Sequence, residues 1–226
     1  MKKIFLIILA GLLCVSLLAS FVACDEKGDE TSDEEKGISK ESWDNMVDAA
    51  NFENYTLDFQ GTMTVYENDG YVSEATAVHT LYRVTTDAFE IVTYDEYGNS
   101  MTPMVMVLTG EDAAAQKANM SQLFLAILSD YDNFTYDEDS KAYVIKNCTV
   151  NMDASMIVNG EVASETVPVT IEIKEGTATV SDDGKILKLV CEYTQTMTIG
   201  GNLTKVGGNT TWTFSDYGTT VINAAN

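Results

Sequence analysis

The sequence predicts a mainly β domain of the α+β class, a long twisted antiparallel sheet forming a half-barrel over one or two helices. Three observations predict it. Polar and apolar residues alternate from Tyr55 to Val65, with Tyr55, Leu57, Phe59, Met63 and Val65 on one side and Thr56, Asp58, Gln60, Thr62 and Thr64 on the other. That is the period of a half-buried strand. Turn-forming pairs such as Asn159-Gly160 and Asp183-Gly184 then recur between apolar-rich runs, as tight hairpins require where both central residues need positive φ. Finally, Met120, Leu123, Phe124, Ile127, Leu128 and Tyr131 recur at helical spacing, which marks one amphipathic helix over 117–131.

The chain opens with Lys2 and Lys3, followed by an uncharged stretch from Ile4 to Val22. A basic start, an apolar run and a small residue at the cut make residues 1–23 a secretory signal. The run is also long enough to span a bilayer, so an uncleaved anchor is the alternative. Phe21-Val22-Ala23-Cys24 resembles a bacterial lipobox, with Phe21 where Leu is usual. The resemblance implies cleavage before Cys24 and a diacylglycerol on its thiol. Two acyl chains hold a protein on a membrane durably, whereas one does so only marginally. The expected location is therefore extracytoplasmic, lipid-anchored to the cell membrane at the bacterial surface.

Residues 24–41 form the lipidated Cys and an acidic disordered tether. Asp25, Glu26, Asp29, Glu30, Asp33, Glu34 and Glu35 stand among Gly, Ser, Thr and Lys, a composition that cannot bury a core. Residues 42–226 suit a single antiparallel β domain. Ser39 or Ser42 caps a short helix carrying Trp43, Met46, Val47 and Ala50 along one face. After the first strand, Asp69-Gly70 turns the chain into a strand at 71–85, and Tyr97-Gly98-Asn99 separates 87–95 from 100–109. Beyond the helix come strands at 151–158, 161–174, 177–181, 185–199 and 208–215. In 185–199, Leu187, Leu189, Cys191, Tyr193, Met197 and Ile199 share a face.

Charge excludes one class of partner. The chain holds 35 acidic against 13 basic residues, a net charge of −22, and loss of Lys2 and Lys3 makes the mature chain more negative still. Such a surface repels phosphates, so no nucleic-acid partner is expected. The acids follow no calcium-loop spacing.

Chemistry is sparse. His79, the single histidine, sits mid-strand with no nucleophile motif near it, so a strand histidine facing solvent or the sheet edge is the reading. No zinc-ligand or phosphate-loop pattern occurs, and no metal or cofactor is expected. Met101, Met104 and Met106 are thioethers of the type that binds Cu(I), but filling a core or lining a cavity accounts for Met104 and Met106 better. An export compartment permits a disulfide between Cys148 and Cys191; the alternative is two small buried hydrophobes. The carboxylates fall in turns and on polar faces, so no enzyme is expected.

Two stretches add a resemblance. Asn51-Phe52-Glu53-Asn54-Tyr55-Thr56-Leu57, opening the first strand after a helix, is similar to the start of many secreted lipoproteins of Gram-positive bacteria. Phe214-Ser215-Asp216-Tyr217-Gly218-Thr219-Thr220-Val221-Ile222 resembles the closing strands of the LolA/LppX-like lipoprotein-carrier superfamily, where an Asp-Tyr-Gly turn links the last two strands. The resemblance implies a half-barrel over a helix, enclosing an apolar cavity for acyl chains. The residues expected to line it are Leu57, Phe59, Met63, Met104, Met106, Leu123, Phe124, Ile127, Leu128, Leu189 and Tyr193. The leading expectation is a monomeric, non-catalytic lipoprotein that binds or carries an apolar ligand such as a lipid or acyl chain. The alternative is an accessory or scaffold lipoprotein with a solid core that binds another envelope protein.

Overall fold

The computed structural model describes residues 53–66, 72–94, 104–128, 134–137, 139–158, 161–181, 185–199 and 202–222, with Glu41, Trp43, Asp44 and Asp132. The expected leader, Cys24, most of the tether and first helix, Met101, and the turns at 69–70, 97–99, 159–160 and 183–184 lie outside these residues. Glu41, Trp43 and Asp44 have helical backbone.

Among the described residues, nine strands and one long helix follow in chain order: β1 (Tyr55–Tyr66), β2 (Thr76–Val84), β3 (Ala88–Tyr94), β4 (Met104–Thr109), α1 (Gly110–Leu128), β5 (Phe134–Asp137), β6 (Ala142–Val158), β7 (Glu161–Val180), β8 (Ile186–Ile199) and β9 (Asn202–Ser215). The strands make one sheet in the order β4-β3-β2-β1-β9-β8-β7-β6-β5, and every paired neighbour is antiparallel. The chain thus starts in the middle, steps outward to β4, and crosses by α1 to the far edge. It then returns strand by strand until β9 pairs with β1. The edges β4 and β5 do not pair with each other, so the sheet is open, not closed into a barrel.

The helix packs on β3, β4 and β6. In a flat sheet β4 and β6 would lie about 33 Å apart, more than the ~28 Å length of a helix this size. A sheet curled toward α1 brings both within its reach. α1 begins earlier than its apolar period indicates, at Gly110 (φ 59), because Ala113, Ala114 and Ala115 supply helix propensity without periodicity. Glu111 and Asp112 sit in its first turn, where negative charge offsets the helix dipole. Lys117 donates to the carbonyls of Thr85 and Thr86, fastening the helix start over the β2–β3 turn.

Several strand expectations are corrected. β7 runs unbroken through Gly176 instead of dividing into 161–174 and 177–181. A Cβ there would lie 2.8 Å from the Val190 carbonyl oxygen, so glycine marks a close strand approach and not a turn. β9 starts at Asn202, ahead of the expected 208, and β6 starts at Ala142, ahead of 151. In β8 the register shifts opposite Thr179 and Val180, which buries Ile186 (3%) and turns Leu187 outward (40% exposed). This is the effect of a bulge, which changes the face of the residues beyond it. The closing turn also differs from the resemblance. Asp216 (φ 54) and Gly218 (φ 74) do form a turn, but residues 220–222 are not a strand. They fold back onto β1, where the Thr220 amide donates to Asn54 Oδ1 at 2.9 Å and the Gly218 amide to the Asn54 carbonyl at 2.9 Å.

Candidate functional site

Register assigns the inner face residue by residue. One row crosses the sheet as Met106–Ile91–Tyr82–Leu57–Phe214, and the next as Phe59–Trp212–Leu189–Ala178–Tyr143–Tyr136. Further along the strands lie Val65–Val206–Gln195–Ile171–Val150 and Met197–Val169–Met152. Directly opposed side chains of this kind are the contact unit of an antiparallel sheet. Among the described residues, no charged side chain belongs to these rows.

The expected lining residues that can be placed fall on this face. Leu57 (0%), Met63 (3%) and Leu189 (2%) are buried, while Phe59, Met106 and Tyr193 are partly buried against the same core. Phe59 meets Trp212 edge-on, ring centroids 5.2 Å apart. For Met104, Leu123, Phe124, Ile127 and Leu128 the backbone alone is described; Met104 pairs with Thr93 in β4, and the other four continue α1. At the β5–β6 edge Trp43 is fully buried against Phe134 (4.6 Å) and Tyr143 (4.8 Å). The start of the domain is thereby pinned to this edge. Burial raises the Tyr143 phenol pKa above its ordinary value.

Cys148 and Cys191 share the inner face, but β7 lies between their strands. Two strand spacings are about 9–10 Å, beyond the ~7 Å limit for a bridge between Cα atoms. The disulfide alternative is therefore corrected to two unbridged, buried thiols. Burial pushes the Cys191 thiol pKa up, with the Thr210 hydroxyl opposing it.

Sequence reading missed the polar groups of this face. Thr210, 2% exposed, accepts from Trp212 Nε1 at 2.7 Å and lies 3.5 Å from Cys191 Sγ. Gln195 (7% exposed) and Gln116 (1% exposed) are buried as well. Gln116 follows Ala113 and precedes Met120 on the buried stripe of α1. The signal for Gln195 was its phase, since it alternates with Cys191, Tyr193 and Met197.

The outer face mixes polar groups with exposed apolar side chains such as Val105, Val107 and Leu187. His79 Nε2 lies 2.9 Å from Asp58 Oδ1, and its ring stacks on Tyr94 at 4.2 Å. Arg83 pairs with Glu90 directly opposite, and Lys174 with Glu192 at 3.3 Å. No group of His, Cys, Asp and Glu able to hold a metal occurs among the described residues. No helix among them is long and apolar enough to cross a membrane.

No known protein-family profile matches the chain, and no curated protein matches it. Among solved structures, a LolA superfamily protein from Nitrosomonas europaea is 7% identical, with 79% of this chain and 92% of that one covered at a TM-score of 0.27. A DUF1329 family protein from Desulfovibrio piger is 12% identical, with 78% and 91% covered at a TM-score of 0.17. Scores this low do not establish a shared fold, so the architecture stands on the strand order and register themselves.

Proposed function

We propose that this chain is a lipoprotein anchored through Cys24 at the outer side of the cell membrane, and that its LolA-like domain binds or carries an apolar ligand without catalysing a reaction. The observation that carries the reading is the inner face. It presents uncharged rows, rich in aliphatic and aromatic side chains, across one sheet with a helix laid over it, while the ion pairs sit outside. Such a surface suits an acyl chain, because apolar contact is non-directional and methionines adapt to irregular shapes. The acidic tether would keep the domain within reach of the bilayer. Titration with N-phenyl-1-naphthylamine tests this reading. Saturable fluorescence enhancement, reversed by an acyl lipid, is expected; a linear, non-saturating response would reject it.

A scaffold role is favoured by one specific observation. β4 is an edge strand of the sheet, and Val105 (48%) and Val107 (40%) are exposed on it. An uncharged open edge is a template for a partner's strand. In that reading a Val105→Lys, Val107→Lys double variant loses partner capture and keeps probe binding.

A further inference from the structure

Gln195 is a residue that a purely apolar lining does not require. Its cross-strand neighbours are Val206 and Ile171, and the row continues to Val65 and Val150. Tyr193 and Met197 flank it in phase on β8. Its Nε2 has no hydrogen-bond partner among the described residues. A buried amide donor left unmade is costly, and an aliphatic side chain like those around it would carry no such cost. Thr210 shows that a polar group on this face can be served from within, since Trp212 donates to it. On α1, Gln116 has a second buried Nε2 without a partner among the described residues. Sheet and helix thus each offer a neutral amide donor on their buried sides.

We propose that Gln195 is the polar recognition group of the apolar site, donating its Nε2–H to the carbonyl of an uncharged acyl ester whose chain lies along the aliphatic rows. The inference rests on the ligand-binding reading above and adds the chemical class of the ligand. A neutral ester is selected over a free fatty acid for an electrostatic reason. The inner-face rows contain no cation among the described residues, the chain's net charge is −22, and desolvating an ionised carboxylate costs far more than desolvating an ester.

The test compares monodecanoylglycerol with decanoic acid, both below their micellar concentrations and at a pH well above the acid's pKa. Each displaces N-phenyl-1-naphthylamine from the mature protein, from Gln195→Leu and from Gln195→Met. The wild type should bind the ester at least about tenfold more tightly than the acid. Measured against each protein's own probe affinity, both variants should bind the ester about tenfold more weakly, the loss expected for one buried hydrogen bond. The methionine variant conserves volume, so it keeps the test open if leucine disturbs folding. Ester affinity unchanged in the variants, with probe still bound, overturns the role of Gln195 and leaves the apolar site standing. Equal affinity of the wild type for acid and ester overturns the ester class. Absence of saturable probe binding to the wild type is instead a failure of the ligand-binding reading itself.

Discussion

The centre of the sheet is its most demanding joint, because there the first strand meets the last, and Gly208→Ala tests it. A Cβ at Gly208 would lie 1.8 Å from the Thr62 carbonyl oxygen, and one at Gly61 would lie 2.2 Å from that of Asn209. Both distances are more than an ångström inside ordinary van der Waals contact, and in both the obstacle is backbone. No rotamer change can relieve it, so β1 and β9 must separate. Overpacking alone costs about 1–3 kcal/mol, and each ladder hydrogen bond lost adds roughly 0.5–1.5 kcal/mol. The expected destabilisation is about 3–5 kcal/mol, a large part of the ~5–15 kcal/mol total stability of a domain. Gly218→Ala supplies the control. Gly218 has φ 74 and nothing within 4 Å of its added Cβ, so its cost is the left-handed conformation alone, about 1–2 kcal/mol. Urea unfolding followed by the fluorescence of Trp43 and of Trp212, the latter on β9 itself, measures both. A Gly208→Ala variant within about 1 kcal/mol of wild type, or no worse than Gly218→Ala, would refute the close-approach argument.

Other expectations follow from single sites. Cys148 (2% exposed) and Cys191 (5% exposed) should resist alkylation in the native protein, and the denatured mature chain should take up two labels without reductant; a requirement for reductant contradicts the unbridged assignment. The Asp137 carboxyl is held below its ordinary pKa by the Ser140 hydroxyl and then by the Asp139 amide. A pKa depressed on folding gives stability that is complete above the unfolded value and disappears as pH falls through the folded one. In an NMR titration Ser140→Ala should therefore move Asp137 upward, and an unmoved titration would contradict the assigned cause. Cys24→Ala should shift the protein from the membrane fraction to the soluble one, since no diacylglycerol can then be attached; unchanged membrane retention would count against lipidation at Cys24.

The strands easiest to read in the sequence were those with one wet and one dry face. β1 is legible because every second residue from Tyr55 to Val65 meets water, and the inward set Leu57, Phe59 and Met63 follows directly. Legibility fails where the backbone departs from strict alternation. The shift beside Val180 exchanges Leu187 for Ile186 at the core, and Gly176 imitates a turn while serving a close strand contact. β5 is only four residues long, too short for a period, and its existence depends on pairing with β6 from Phe134 to Asp137. For the candidate site, hydrophobic pattern put Leu57, Met63 and Leu189 on the buried face but was blind to Gln195 and Gln116. A search for apolar residues at fixed spacing passes over a buried amide, even though the phase of Gln195 with Tyr193 and Met197 puts it on the inner face.

The central claim is that the inner face holds an apolar molecule in the living cell. Native mass spectrometry of the protein, extracted from its own host membrane and sprayed under gentle conditions, tests this most directly. The account predicts a population heavier than the mature lipidated chain by the mass of a neutral acyl lipid, released on activation and reduced in Gln195→Leu. A single species at the mass of the lipidated chain alone, unchanged when lipid is added back, would contradict it.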